Sequence, residues 1–332
     1  MNSRFISAVC FALIPAMTVM LLAGCQGSEV VASAQEEGGD GFVTFINGQE
    51  AAALIETHAD ELFIIDARKP DQFADGHLPG AVNLPPDVWR TPKAKPGSGQ
   101  PGRHFYRVGS DDAGPLDSEH YNSVLGAAGL TEDAPVLVYG NHAGKADGSV
   151  PVMVLHLLGH RGDIFFADGV GTHRFTDAGL TLSTKAAAPT ATTYNAQPIE
   201  GAVWDLADVR AYVANPEASV VLWDTRSPAE WDGSSDRGNA RAGRIPGAVF
   251  VGFSDLFTPG SEKTVLQKQA MQQKLTAAGI TPEKTVVMYC QTATRVALPY
   301  QALREMGYTK LAVYDGSMAE YANLDDTEIE LP

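Results

Sequence analysis

An apolar run, "TVVMYC", delivers Cys290 to a loop of small and polar residues, Gln291, Thr292, Ala293 and Thr294, which closes on Arg295 before a helical pattern begins. A strand-to-helix loop presents backbone N–H groups with no intrahelical partner, and the helix N-terminus adds positive partial charge. Successive amides in a tight turn form a concave anion site. A thiol on its floor is favoured as the thiolate, the form that attacks electrophiles and carries transferred groups. Small side chains let the amides close on a bound anion, and Arg295 offers a charge-assisted fork. The pattern predicts Cys290 as a nucleophile, with Gln291 to Arg295 as its cradle.

Cys290 is one of three cysteines, and the other two lie near the N-terminus. Arg4 precedes the apolar stretch "FISAVCFALIPAMTVMLL", which ends in Leu22-Ala23-Gly24-Cys25. A charged start, an apolar centre and small residues at a cleavage point describe an export signal. The "LAGC" ending resembles the lipobox of bacterial lipoproteins. That resemblance implies a signal peptide over 1–24, removed with Cys10, and a lipid on Cys25. The chain is then expected in the cell envelope, lipid-anchored and facing the periplasm, with Gln26 favouring the outer membrane by analogy with enteric sorting. A plain transmembrane anchor is the alternative, since the apolar length just permits a span. In both cases Cys290 is the single thiol of the exported domains and has no internal disulfide partner.

The 332 residues carry a net charge of −16, which becomes −17 without Arg4, the one charged side chain in 1–24. Such acidity argues against nucleic acid as a partner, because phosphate binding needs clustered Lys and Arg. Hydrophobic content of 44% fits globular domains.

Positioning a cysteine at a strand end requires a sheet, and the chain describes two. Residues 25–41 are small, polar and acidic, a flexible tether, and 181–198 are poor in large apolar residues and read as a linker. The blocks 42–180 and 199–332 repeat each other. "LFIIDARKPDQFADGHLPGAV" answers "VVLWDTRSPAEW…GRIPGAV", "LGAAGLTEDAPVLVYG" answers "KLTAAGITPEKTVVMYC", and Asp168-Gly169 answers Asp315-Gly316. Apolar runs without polar alternation, interleaved with helix-like segments, predict α/β domains with mostly parallel sheets flanked by helices. Gly279 and Gly307 are expected to close helices, and Met271 and Leu275 to lie in the core. Ligands of such sheets bind at the carboxyl ends of strands, where Cys290 stands.

The "DxR…G-x-IPGA" segment, the loop "CQTATR" and the closing "VYDGS" together are similar to the rhodanese family of sulfurtransferases, as two tandem rhodanese-like domains from Phe42 to about Leu324. The resemblance implies that Cys290 takes a sulfane sulfur from a small anionic donor, carries it as a persulfide, and passes it to cyanide, a small thiol or a protein thiol, with no cofactor. Of Arg226, Arg237, Arg241 and Arg244, Arg237 resembles a donor-binding arginine, while Arg226 and Asp224 repeat Arg68 and Asp66 and are expected to be structural. Glu230 stands where a family arginine holds the carboxylate of 3-mercaptopyruvate. Its presence favours thiosulfate, and Glu230→Arg is expected to improve mercaptopyruvate use. In the first block Gly140 replaces the cysteine, no arginine follows in "GNHAGKADGSV", and the loop is two residues longer. That domain is expected to be inactive and to wall the cleft of the second.

Other readings are weaker. A phosphatase loop places five residues between Cys and Arg, and four stand here. His142, His156, His160 and His173 fit no compact metal site, and "GVGTH" lacks the dinucleotide fingerprint. Asp315 and Ser317 could form a relay, but "YDGS" reads better as a turn. A lipid-anchored binding protein without turnover is the non-enzymatic alternative.

Overall fold

The computed structural model describes residues 43–58, 60–91, 104–108, 114–141, 146–167, 172–256 and 268–332. The expected signal peptide, Cys25, the tether, His142 and the Asp168-Gly169 pair lie outside the described residues.

The apolar runs become strands covered on both faces. In the first half β1 (Val43–Phe45), β2 (Phe63–Asp66) and β3 (Val82–Asn83) are followed by an antiparallel pair, β4 (Arg90–Thr91) and β5 (His104–Phe105), and then by β6 (Val136–Tyr139) and β7 (Ile164–Ala167). The main sheet runs β1-β7-β6-β2-β3. In the second half β8 (Val203–Trp204), β9 (Val220–Asp224), β10 (Val249–Phe250), β11 (Thr285–Tyr289) and β12 (Leu311–Tyr314) run β10-β9-β11-β12-β8. Read from its other edge, the second order is the first with every strand replaced by its duplicate. Neighbouring strands within both sheets are parallel.

Strand β11 sits at the centre, paired to β9 from Thr285 to Tyr289 and to β12 from Val286 to Met288. Its side chains alternate between two apolar layers, as a pleat requires. Val287 and Tyr289 enter a cluster belonging to the second half. Val286, Met288 and Cys290 enter a larger cluster that is continuous with the first half. The thiol therefore lies on the face shared by the two repeats. On that face the helices Ala146–Leu157 and Ala297–Glu305 pack together, and His156 Nδ1 lies 2.6 Å from the Tyr300 hydroxyl.

The helices follow from local chemistry. Asp205 caps Leu206–Ala214 by accepting from the amides of Ala207 and Asp208. Lys268–Ala277 buries Met271 and Leu275, one turn apart, and each contributes roughly 1.5–3 kcal/mol by leaving water. Gly279 ends that segment at φ 75°, where its own amide reaches Thr276 O and that of Ile280 reaches Leu275 O.

The segment 181–198 is fastened along the first half. Ser183 and His77 exchange backbone hydrogen bonds of 2.9 and 2.8 Å, Tyr194 is buried, and the Gln197 amide reaches Leu158 O. Its composition supports no helix or strand of its own, so its backbone is satisfied by its neighbour instead.

Candidate active site

Cys290 is the first residue beyond β11 and is fully buried. The loop after it is braced from below by the chain that leaves β12. Ser317 Oγ accepts from the Cys290 amide at 3.3 Å and the Ala293 amide at 3.0 Å, and donates to Tyr314 O at 2.9 Å. The amides of Met318 and Ala319 in turn reach the carbonyls of Cys290 and Gln291 at 3.1 and 2.8 Å. Ala293 and Ser317 adopt φ of 49° and 50°, a left-handed conformation that costs a non-glycine residue roughly 1–2 kcal/mol each. With Cys290 and Ala293 tied to Ser317, the amides of Gln291, Thr292, Thr294 and Arg295 have no acceptor among the described residues. An anion brought to the loop would find these four donors.

The loop side chains do other work. Gln291 forms a reciprocal amide pair with Asn239, at 2.7 and 3.1 Å, which commits its side chain and leaves its backbone amide for the cradle. Thr292 Oγ1 and Thr294 Oγ1 lie 3.2 Å apart. Arg295 makes a two-pronged ion pair with Glu230, 2.7 Å at each prong. The carboxylate is 2% exposed and also accepts from Ser227 Oγ at 2.7 Å. Burial alone would push the Glu230 carboxyl up, but the Arg295 fork and the Ser227 donors overcome it and hold it down at about 2. Burial opposes the Arg295 charge too, and the bonds to Glu230 together with the charge of a Cys290 thiolate raise it above its ordinary value. The fork expected to face a bound anion is thus committed to Glu230, and Arg295 reaches the cysteine through its field.

The four arginines of the 226–244 segment separate by burial. Arg226 forks onto Asp224 and bonds Gly243 O at 2.8 Å, and Arg68 does the same with Asp66 and with Gly76 O at 2.7 Å. Both pairs are buried and structural. Arg241 gathers the carbonyls of Tyr321, Ala322, Leu324 and Thr327, and Arg244 holds Glu330 and stacks on Trp231 with 4.2 Å to the ring centre. Arg237 alone is mostly exposed, at 58%, with φ 55° and its Nε 3.8 Å from Glu230 Oε1. Arg237 and the loop's Arg295 therefore meet at one carboxylate, that of Glu230.

In the first half, Gly140 follows β6 and is buried. Gln72, the counterpart of Glu230, bonds Asn141 Oδ1 at 2.8 Å. A neutral amide pair thus stands where the second half has an ion pair. His160 is held by Tyr194 and Ala134 O, and its contacts are distinct from those of His156. Among the described residues no group of three or more His, Cys, Asp or Glu could hold a metal ion.

Two features escaped sequence reasoning. Ser317 braces the loop rather than only shaping a turn, and Arg90 of the first half reaches the loop from across the interface, as detailed below. No local pattern marks either, because each acts on residues distant in the chain.

Two segments, 48–170 and 196–324, match the pattern of the Rhodanese-like domain. The chain is 28% identical over 275 residues to a thiosulfate sulfurtransferase of Azotobacter vinelandii, covering 82% of this chain and 92% of the relative. It is 25% identical over 277 residues to a thiosulfate sulfurtransferase of Pseudomonas aeruginosa, with the same coverage of 82% and 92%. Among solved structures, an anaerobic ergothioneine biosynthesis enzyme from Chlorobium limicola in complex with trimethyl histidine superposes with a TM-score of 0.70 at 20% identity, covering 86% of this chain and 70% of that one. This last likeness is one of fold.

Proposed function

Because the chain belongs to the rhodanese family, with one rhodanese-like domain in each half, we propose that it is a sulfurtransferase whose single nucleophile is Cys290. The observation that carries the proposal is the loop itself: a buried thiol at a strand end, followed in the loop by four backbone donors with no acceptor among the described residues. The names of the Azotobacter and Pseudomonas relatives support thiosulfate as the donor.

The reaction divides into two displacements. The Cys290 thiolate attacks the outer sulfur of thiosulfate. A new sulfur–sulfur bond forms, the donor's own sulfur–sulfur bond breaks, and sulfite departs with the electron pair. The amides of Gln291, Thr292, Thr294 and Arg295 hold the negative charge of the persulfide that remains. A nucleophile, cyanide or a thiolate, then attacks the outer sulfur, and the Cys290 thiolate leaves. The kinetics are ping-pong. Arg237 meets the incoming anion, and Arg295 keeps the loop in register through Glu230. With 3-mercaptopyruvate the attack on its sulfur breaks the carbon–sulfur bond instead, and the departing enolate takes up the proton of the donor's thiol to give pyruvate.

The first domain, 42–180, lacks the nucleophile, and we assign it a supporting role beside 199–332, with 181–198 between them. The N-terminal "LAGC" motif supports a lipid on Cys25 after removal of 1–24, which would hold both domains at the periplasmic face of an envelope membrane, the outer one by the Gln26 criterion.

Thiocyanate formation from cyanide tests the proposal, measured with thiosulfate and separately with 3-mercaptopyruvate. Activity is expected with at least one donor, stronger with thiosulfate, and absent from Cys290→Ser. Undiminished turnover by Cys290→Ser would overturn the mechanism.

A further inference from the structure

Arg90 belongs to the half without a nucleophile, yet its guanidinium ends on the loop of the other half. Its Nη1 donates to Thr294 Oγ1 at 2.7 Å and its Nη2 to the Thr292 carbonyl at 2.7 Å, across 204 and 202 residues of sequence. The same Nη2 lies 3.5 Å from Asp315 Oδ1, and the whole side chain is 2% exposed. Its carbon centre sits 5.1 Å from the ring centre of Phe105, its partner in the β4–β5 pair. The Phe105 amide donates to Asp315 Oδ2 at 3.2 Å, so the carboxylate that closes β12 is bound by both strands of that pair.

The two loop groups that Arg90 holds flank Ala293, the residue in the left-handed conformation. Ser317 fixes Ala293 from below through its amide, and Arg90 fixes the groups on either side of it. Drawing the Thr292 carbonyl toward Arg90 orients the peptide that follows it, and the second charge-assisted bond, to Thr294 Oγ1, holds the residue on the other side of Ala293. Lysine offers a point charge without the fixed fork and reproduces this only in part.

We propose that Arg90 is a positioning residue of the sulfur-carrying loop, so that the half without a nucleophile supplies part of the geometry of the half that has one. The role as a sulfur carrier rests on the function proposed above, whereas the positioning of the loop does not. It assigns the small β4–β5 pair a purpose that the main sheets do not explain: it brings a guanidinium from one repeat to the loop of the other.

The test compares the full protein with Arg90→Lys and Arg90→Met in two measurements. Hydrogen exchange is read for peptides covering 290–296, and the single-turnover rate of sulfur loading onto Cys290 is read at saturating thiosulfate. In Arg90→Met, exchange in 290–296 should rise about ten-fold or more while peptides of β9 and β11 stay within two-fold of the wild type. Loading should fall roughly ten- to a hundred-fold, with the donor concentration for half-saturation little changed. Arg90→Lys should fall between, and it carries the comparison if Arg90→Met does not fold. Loop exchange and loading within two-fold of wild type would overturn the proposal. So would a rise in exchange spread evenly over the chain, since that is general destabilisation. If the wild type takes up no sulfur, the function proposed above fails, and the loop exchange still decides whether Arg90 positions the loop.

Discussion

Glu230 and Arg295 face each other through two hydrogen bonds of 2.7 Å, although 65 residues separate them in the chain. Read as a letter in an alignment, Glu230 is an arginine lost from a donor site. In the fold it is the buried anchor of the loop's own arginine, and the mostly exposed Arg237 lies 3.8 Å from the same carboxylate.

That pairing revises what Glu230→Arg should do. The substitution sets two guanidinium groups together with no carboxylate between them, and breaking a buried pair costs about 3–5 kcal/mol. We expect lower stability by urea titration and lower turnover with both thiosulfate and 3-mercaptopyruvate. A gain in mercaptopyruvate use at unchanged stability would contradict the pairing.

The same pair sets a pH dependence. Folded Glu230 titrates at about 2 and an ordinary glutamate at 4.5. Its stabilisation is therefore complete above pH 4.5 and is lost as pH falls toward 2, with a full size of about 3 kcal/mol. Unfolding free energies of wild type and Glu230→Gln should differ by a constant amount from pH 5 to pH 7 and converge below about pH 4. A difference that changes between pH 5 and pH 7 would point to another group.

His160 acts in a higher window. Burial disfavours its imidazolium and lowers it from 6.5 to about 4, against a weaker upward pull from the Ala134 carbonyl. The unfolded chain then binds the extra proton, so stability falls as pH drops from 6.5 toward 4, by up to about 3 kcal/mol. His160→Gln, measured by urea unfolding at pH 7 and pH 5, should show a smaller loss between the two than wild type. Equal losses would mean that His160 is not held neutral.

Ser317 offers a separation of strain from hydrogen bonding. Ser317→Ala keeps the φ of 50° but strands the buried amides of Cys290 and Ala293, at about 1–3 kcal/mol. Ser317→Gly loses the same bonds but relieves a left-handed strain of roughly 1 kcal/mol. Both variants should transfer sulfur slowly, while thermal unfolding ranks glycine above alanine. Full activity in either would remove Ser317 from the loop's support.

The sheets were legible because their evidence is local. Val220–Asp224 and Thr285–Tyr289 are apolar runs that fit strands covered on both faces, and the repeat of "PGA" and "DG" landmarks gave the duplicated order. The position of Cys290 at a strand end was legible for the same reason. What the loop's side chains do was not. Gln291 turns to Asn239, Arg295 to Glu230, and Thr292 and Thr294 meet Arg90, all partners chosen by tertiary packing at long sequence distance. A polar residue in a loop carries no local mark of which distant group will satisfy it.

The central claim is that Cys290 itself carries the sulfur, and peptide mass spectrometry reads it directly. The protein is treated with thiosulfate, digested without reductant, and the peptide containing Cys290 is compared before and after cyanide. The account predicts one added sulfur atom on Cys290 that disappears with cyanide as thiocyanate forms. An unmodified Cys290 peptide in a preparation that nonetheless converts cyanide to thiocyanate would contradict it.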